Sequence, residues 1–349
     1  MSLRGTLIRA VLRLPEPWLV RLAGGAPIER RGRRLDPVFQ VLNTALKRNP
    51  PYSALGPAKA REVSASGLAA VTGPPDQGVA WDEEHVSAGQ PSRNIPVRVY
   101  RPSDQDPSAP IIVYAHFGGG VIGDLETSHA FCTRIARIVR CPVVSVDYRL
   151  APEHRWPAGL DDCTTVYTWA LGQGARLGAP SGQASIMGDS MGGNFAAVIA
   201  QDMDREGLPT PYLQVLVYPA VDATEQTASY AEFGDIAPLT TETMTWFFET
   251  YLPEGVDVSD PRISPAQEMV LEGLPPAIVV TAGFDPLLDE GDAYARRLDA
   301  AGVETEYLCF ESLAHGFTAF TGVCKAADQA CTDIADRVRE AYDSLAVPR

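Results

Sequence analysis

Cysteine is scarce in this sequence, with 6 residues among 349, and no two of them are spaced as C-x-x-C. This scarcity excludes a disulfide scaffold, and the spacing gives no cysteine-based zinc or redox site. Free thiols are typical of a reducing compartment, so the sequence predicts a cytoplasmic protein.

Long hydrophobic runs are also missing. No stretch of 18 apolar residues occurs anywhere in the chain, which argues against a transmembrane segment. Arginines at positions 4, 9, 13 and 21 interrupt the apolar residues of the first 26 positions, so no signal-peptide core is recognisable. The prediction is therefore a chain without a membrane span or a secretion signal.

Positive charge is in deficit, with 29 Lys and Arg against 44 Asp and Glu and a net charge of −15. Such a chain is a poor partner for nucleic acid and for anionic membranes. Residues 1–48 nevertheless hold ten basic and three acidic residues (+7), which leaves 19 and 41 (−22) for residues 49–349. The first arginines alternate with apolar residues as in an amphipathic helix that ends before Pro15. Two interpretations of this helix stay open: weak contact with a membrane surface or, preferred, packing onto the acidic body of the same protein.

Several short apolar runs follow the basic segment, each bounded by Gly, Pro or Asp. They lie at 111–115, 143–146, 184–187, 214–218 and 277–281, with a further strand predicted at 304–310 and a final helix at 326–345. Runs that are apolar throughout and alternate with helix-length segments indicate a mostly parallel sheet covered on both faces. Alternating residues at 78–101 predict antiparallel strands before it. The predicted fold class is therefore α/β.

Two intervals do not fit a plain α/β alternation. Residues 50–75 are rich in Pro, Ala, Gly and Ser and predict a connection with little regular structure. The interval 219–276 is longer than a crossover needs, and its aromatic segment 240–252 has a helical pattern. We therefore expect an N-terminal helical cap segment with its connection at 1–75, a catalytic core at 76–349, and a cap insertion at about 223–262.

The strongest chemical signal is Gly188-Asp189-Ser190-Met191-Gly192, which fits the pattern G-x-S-x-G. A predicted strand runs into it and a helix of small residues runs out of it, which is the setting of a nucleophile elbow. The glycines permit a tight turn that leaves the serine hydroxyl exposed above a helix N-terminus. A serine nucleophile is therefore the first predicted functional group.

Chain order selects the partners of this serine. A triad in the order Ser, acid, His requires a histidine beyond the serine, and of five histidines only His315 qualifies. Asp285, just after a predicted strand, is the preferred acid for orienting that imidazole, and Asp222 is the alternative. Asp289 and Glu290 are expected to cap or solvate the next helix.

Three consecutive glycines follow the strand at 111–115, in the segment 116–120 (His-Phe-Gly-Gly-Gly). Glycines let backbone amides approach a ligand, and neither GxxxxGK[ST] nor a strand-linked GxGxxG is present to indicate a phosphate site. Charge that develops on a carbonyl oxygen needs such preorganised donors. We expect this loop and the amide of Met191 to form an oxyanion hole.

Together these segments resemble the hormone-sensitive-lipase-like family of α/β-hydrolases, the bacterial family IV esterases. The likeness spans about residues 78–345. Its five motifs are the glycine loop with Val-Ile-Gly-Asp after it, Asp-Tyr-Arg-Leu-Ala-Pro-Glu-His at 147–154, the elbow, Asp-Pro-Leu-Leu-Asp-Glu-Gly at 285–291, and Ala-His-Gly-Phe at 314–317. The resemblance implies an α/β-hydrolase fold with a helical cap, and hydrolysis of carboxylic esters with short to medium acyl chains, without a metal or a cofactor.

The same resemblance assigns the site residues. It implies that Ser190, Asp285 and His315 form the triad and that Gly118, Gly119 and Met191 supply the oxyanion amides. The chain departs from the family pattern, which has Gly at 117, an aromatic residue at 120 and Ala after the nucleophile. We expect Phe117, Gly120 and Asp189 to contact the substrate.

The expected partners are a small-molecule ester substrate and, as in relatives that pair through the sheet edge, a second copy of the chain. The triad does not choose the leaving group, so an amide, lactone or carbamate hydrolase stays open. A non-catalytic small-molecule-binding relative is the less favoured alternative, because such receptors lack the histidine that this sequence retains as His315.

Overall fold

The computed structural model describes residues 3–89 and 93–346, so the outer ends of the predicted cap segment and core, 1–2 and 347–349, lie outside the described residues. The helices are α1 (Leu3–Leu12), α2 (Glu16–Leu22), α3 (Pro37–Leu46), α4 (Tyr52–Leu55), α5 (Pro57–Val71), α6 (His129–Val139), α7 (Ala158–Leu171), α8 (Gly174–Leu177), α9 (Met191–Arg205), α10 (Ala228–Phe233), α11 (Thr241–Tyr251), α12 (Leu288–Ala300) and α13 (Lys325–Leu345). The strands are β1 (Glu29–Arg30), β2 (Arg33–Arg34), β3 (Val79–Ala88), β4 (Arg93–Pro102), β5 (Ile111–Ala115), β6 (Val143–Val146), β7 (Ala184–Asp189), β8 (Gln214–Val217), β9 (Ala277–Phe284) and β10 (Thr305–Ala314).

The main sheet has the strand order β10-β9-β8-β7-β5-β6-β4-β3. Strands β5 to β10 run parallel to one another, whereas β4 is antiparallel to both β6 and β3. The predicted α/β class is therefore confirmed, and the predicted apolar runs correspond to β5 to β9. The last predicted strand and helix correspond to β10 and α13.

The sheet is covered on both faces because its central strands are apolar on both faces. All five residues of β5 are buried. Ile111 and Val113 point into the core cluster shared with α7 and α9, whereas Ile112 and Tyr114 point into the cluster shared with α6 and α13. Parallel strands end at one common edge, where ligands bind in open α/β sheets, so the loops after these strands meet there.

Residues 50–75 depart most from the prediction, and the expected irregular connection is wrong. They form α4 and the 15-residue α5. Five of the 15 residues of α5 are alanine, the best helix former, and Pro57 stands at its first position, where no backbone N–H is needed. Pro, Gly and Ser residues around α5 gave the whole segment the composition of a loop, so the sequence pattern did not predict the helix.

The basic N-terminal segment lies against the rest of the chain both through apolar side chains buried in the core cluster on the α6 and α13 side and through its arginines. Arg31, in the turn between β1 and β2, pairs with Glu232 (2.6 Å) and Asp289 (2.5 Å). Arg9 of α1 donates to the carbonyl oxygen of Thr72 (2.7 Å). These contacts agree with the preferred interpretation, in which the basic segment packs onto its own protein. Within residues 3–89 and 93–346, no helix combines the length and the apolar character needed to cross a membrane.

The long interval between β8 and β9 contains α10 and α11, and α11 confirms the predicted aromatic helix at 240–252. The insertion contacts the N-terminal segment through α4. The rings of Tyr52 and Trp246 lie 5.7 Å apart, and Ser53 donates to Glu242 (3.0 Å). Two segments that are distant in sequence therefore meet outside the sheet.

Candidate active site

Ser190 lies in the sharp turn between β7 and α9, with φ 57° and ψ −116°. A non-glycine residue with positive φ is strained, and such strain is held only where the surroundings enforce it. Neighbouring glycines make the turn sterically feasible: a Cβ on Gly188 would overlap the carbonyl of Gly192, and one on Gly192 would overlap that of Ala115. The motif therefore forms the elbow that the sequence predicts.

His315 and Asp285 meet Ser190 although both are distant in sequence. His315 directly follows β10, and its Nε2 lies 2.9 Å from the Ser190 Oγ. Its Nδ1 lies 2.7 Å from the Oδ2 of Asp285, which directly follows β9. A carboxylate at Nδ1 fixes the tautomer that donates there, and this leaves Nε2 to accept the serine proton.

Asp285 is itself held in place. Its side chain is buried, and its Oδ1 accepts a hydrogen bond from the backbone amide of Leu287 (2.9 Å). The alternative acid, Asp222, instead accepts from the amide of Thr224 (2.8 Å) and from the Nε2 of Gln267 (2.9 Å). The geometry therefore favours Asp285 as the partner of the histidine.

The expectation of a solvated carboxylate at the start of α12 is wrong for Glu290. This side chain is buried, and burial raises its pKa well above the usual range. Its Oε1 accepts from the amides of Val221 (2.7 Å) and Asp222 (3.3 Å). Glu290 therefore ties α12 to the loop after β8. In the sequence, only its place in the motif at 285–291 distinguishes it from a surface acid.

The glycine loop after β5 turns sharply. Gly118, Gly119 and Gly120 have φ of +133°, +62° and +69°, where L side chains are strained. The carbonyl of Gly118 accepts from the amides of Val121 and Ile122, both at 3.0 Å. Within the described residues, the amides of Gly118 and Gly119 donate to no acceptor, so they are available to a ligand.

The third predicted oxyanion donor is the amide of Met191. This residue is the first of α9, and the first amides of a helix have no carbonyl one turn earlier to bond. His116 stands at the root of the glycine loop, where it stacks on Tyr148 (4.2 Å between centroids) and its Nδ1 meets the Phe117 carbonyl at 2.8 Å. Burial lowers the pKa of His116 to about 4, so its imidazole is neutral near pH 7.

The three predicted substrate contacts are placed differently. Phe117 is half-buried and packs against the core cluster on the α6 and α13 side, and Gly120 is buried, with its carbonyl accepting from the Ala151 amide (2.8 Å). Asp189 has no exposed surface. A carboxylate without exposed surface does not face a substrate, so the expectation of contact does not fit Asp189.

Asp189 instead connects the elbow to the histidine loop. Its Oδ2 accepts from the hydroxyls of Tyr218 (2.9 Å) and Thr318 (3.0 Å), and burial raises its pKa to about 6. The ring of Tyr218 also lies 4.8 Å from that of His315. Sequence reasoning missed Tyr218 and Thr318. The only signal was that Thr318 follows three residues after the predicted base.

A cavity of about 330 Å³ lies beside the nucleophile. Its walls include Met191, the loop after β8, and Phe248 and Tyr251 of α11. Glu290 borders it as well. The insertion therefore supplies part of the wall of the cavity that opens next to the elbow.

Comparison with known proteins agrees with this geometry. A family model described as the alpha/beta hydrolase fold matches residues 112–319, more than half of the chain. The chain belongs to this family. The hormone-sensitive-lipase-like resemblance drawn from its motifs is confirmed.

Three similar proteins illustrate the membership. The carboxylic ester hydrolase LipN of Mycobacterium tuberculosis is 39% identical over 313 residues, which cover 87% of this chain and 82% of that protein. The ethyl acetate hydrolase of Pseudomonas putida is 34% identical over 250 residues, with 70% and 78% covered. The crystal structure of a hyperthermophilic esterase from Pyrobaculum calidifontis is 33% identical, with a TM-score of 0.82 over 89% of this chain and 99% of that one.

Proposed function

We propose that the chain is a serine carboxylester hydrolase that cleaves short- to medium-chain acyl esters through an acyl-enzyme. The observation that carries this proposal is the continuous hydrogen-bonded chain from Ser190 through His315 to Asp285. Similarity to a carboxylic ester hydrolase and to an ethyl acetate hydrolase supports the same chemistry. Esters of small molecules are therefore the proposed substrates.

The first chemical step uses the triad. As the Oγ of Ser190 attacks the ester carbonyl carbon, the Nε2 of His315 takes the hydroxyl proton, and the carboxylate of Asp285 stabilises the imidazolium that results. The C–O bond to the alcohol then breaks, and the departing alkoxide receives the proton from His315. A water molecule, activated by the same nitrogen, hydrolyses the acyl-serine.

The carbonyl oxygen carries negative charge in both tetrahedral intermediates. We assign its stabilisation to the amides of Gly118, Gly119 and Met191, since backbone donors fixed before the reaction cost no reorganisation during it. Among the residues that the structure describes, the amides of Gly118 and Gly119 have no internal acceptor, which supports this assignment.

The proposed organisation is a cap over a catalytic core. The segment 1–75 and the insertion at about 223–262 would form the cap, and the rest of 76–349 the core. The contacts of α4 with α11, and the share of α11 in the cavity wall, support this division.

The proposed environment is the cytoplasm, which the six free cysteines support because five of them are buried as unpaired thiols.

Weak membrane-surface contact by α1 and formation of a homodimer stay predictions. The exposed side chains of Leu7 (65%) and Trp18 (58%) near the N-terminus give the surface to examine. Vesicle sedimentation and sedimentation velocity would test the two predictions separately.

A series of activated esters from acetyl to decanoyl, assayed with wild type and Ser190→Ala, tests the function. We expect the variant to lose about 10⁶-fold in kcat, because loss of the nucleophile removes the covalent route. Equal rates in the two proteins would contradict the proposal. Matched amide, lactone and carbamate substrates in the same assay show which leaving groups the enzyme accepts. Failure of a fluorophosphonate to label Ser190 would favour a non-catalytic binding protein.

A further inference from the structure

The glycine loop is covered by two rings of α11. A Cβ on Gly119 would overlap the ring of Phe247, and a Cβ on Gly120 would lie 2.5 Å from the ring of Tyr251. The two rings thus fill the space that side chains at these positions would need. Tyr251 is 3% exposed, and its hydroxyl has no hydrogen-bond partner among the described residues, so its contribution here is packing.

A second contact reaches the same loop from α5. The Nε of Arg61 donates to the carbonyl of Val121 (2.8 Å), and its Nη2 donates to that of Ala151 (2.7 Å). The amide of Ala151 in turn donates to the carbonyl of Gly120 (2.8 Å). The carboxylate of Glu153 accepts two hydrogen bonds from the Arg61 guanidinium, at 2.9 and 2.6 Å. This paired contact fixes the orientation of the guanidinium plane.

A run of three glycines needs such outside support. Glycine loses more conformational freedom on ordering than any other residue, and this run has no side chains of its own to pack. An oxyanion hole works only when its donors are fixed before charge develops, and a displacement of about 1 Å at a reacting centre costs about 10²-fold in rate. Whatever holds the loop therefore bears on the rate.

We propose that Arg61, Phe247 and Tyr251 are positioning residues that hold the amides of Gly118 and Gly119 in their oxyanion-binding arrangement. The inference rests on the proposed function, because it concerns the transition state of that reaction. Under it, α5 and α11 influence the rate of acyl transfer, and α11 also forms part of the cavity wall. These side chains act through the loop and do not touch the reacting atoms.

The experiment compares Tyr251→Ala, Phe247→Leu and Arg61→Gln in the full-length chain. For each variant, kcat and KM are measured with an activated acetyl ester, together with the inhibition constant of an aryl trifluoromethyl ketone. The Ser190 Oγ adds to the carbonyl carbon of that ketone, its proton passes to His315, and the former carbonyl oxygen becomes an oxyanion. The inhibitor thus reports on the oxyanion hole, whereas KM is less sensitive to it.

We expect kcat to fall about 10- to 100-fold in each variant and ketone affinity to fall by a similar factor, while KM stays within about threefold. Tyr251→Phe keeps the ring and should restore both quantities. Arg137→Gln, which removes an arginine of α6 that pairs with Asp76, is the matched control for loss of a surface ion pair. Active-site titration with a fluorophosphonate corrects every rate for the folded fraction.

Two results would overturn the inference. In the first, the corrected kcat and the ketone affinity of all three variants match those of Arg137→Gln. In the second, KM rises in proportion to the loss of kcat/KM while ketone affinity is unchanged, which assigns these residues to substrate binding. Failure of the proposed function is distinguishable from both, because wild-type hydrolysis would then not depend on Ser190.

Discussion

The carboxyl edge of the sheet and the N-terminal segment are constrained to different degrees. At the sheet edge, Ser190, Asp285 and His315 are nearly or fully buried, and their positions follow from strand register and from glycines that no larger residue can replace. The N-terminal segment is attached by apolar side chains such as Leu19 and Phe39, which are buried in the core cluster on the α6 and α13 side, and by arginines that contact carboxylates and carbonyls. Other apolar side chains of the segment, such as Trp18, are exposed. Chemistry that depends on sub-ångström placement is thus built on steric necessity, whereas attachment of the N-terminal segment combines apolar packing with complementary charge.

The largest expected effect is at the buried edge. Asp285→Asn should lower kcat by about 10⁴-fold, because an amide at this position stabilises the wrong imidazole tautomer and not the imidazolium. Asp222→Asn, which changes the alternative acid, should cost less than about tenfold. Steady-state kinetics of the two variants on one ester measure the difference. A larger loss of kcat in Asp222→Asn than in Asp285→Asn would identify Asp222, after β8, as the triad acid.

Two glycine substitutions sharpen the contrast between the regions. Gly192→Ala places a Cβ against the carbonyl of Ala115 and should destabilise the fold by about 1–3 kcal/mol, as overpacking does. Gly67→Ala in α5 meets no atom within 4 Å and should stabilise it by about 0.5–1 kcal/mol, since alanine is the better helix former. Denaturant unfolding gives both values. Equal effects would show that the edge is no more constrained than the N-terminal segment.

The pH dependence of the free energy of unfolding, compared between wild type and Asp189→Asn, reports on the Asp189 carboxyl group. Its folded pKa is about 6 against an ordinary value of 3.8, so the folded state binds more protons between these values, and this contribution to stability is lost as pH rises through about 6. The amide in Asp189→Asn does not titrate, so the variant lacks this pH-dependent contribution to stability. Its stability relative to wild type should therefore increase from pH 4 to pH 7, by at most about 3 kcal/mol. Denaturant midpoints at several pH values measure this change, and parallel profiles would contradict it.

The smallest loss of stability is expected in the N-terminal segment. Arg31→Gln removes ion pairs to Glu232 and Asp289 and should cost about 1 kcal/mol, because partly exposed pairs contribute little each. The loss should shrink in high salt, and kcat should be unchanged. Thermal unfolding at low and high ionic strength gives the comparison. A fall in kcat without a loss of stability would mean that this segment acts on the chemistry directly.

The sequence predicted those parts that local pattern and chain order determine. The strands β5 to β9 are short apolar runs between turn residues, and the elbow motif with one histidine beyond it left few choices for the triad. Composition concealed α5 because Pro, Gly and Ser flank an alanine-rich helix. The contacts of Arg61 and Tyr218 join distant segments, and no local spacing encodes such contacts.

Asp189 shows the limit within a motif. Its place beside the nucleophile suggested contact with the substrate. Alternation along β7 and the turn after it instead send its carboxylate away from the cavity, toward Tyr218 and Thr318. The motif identified which residues lie near the chemistry, and only the folded chain distinguished those that face the substrate from those that hold the site.

The central claim, an acyl-enzyme on Ser190, is tested most directly by trapping it. Turnover of an activated acetyl ester is quenched in acid within the first cycles, and the peptides are mapped by mass spectrometry. We predict an acetyl group on Ser190 in wild type and its absence in Ser190→Ala. Undiminished ester hydrolysis by Ser190→Ala, with the acetyl group on another residue or on none, would contradict the account.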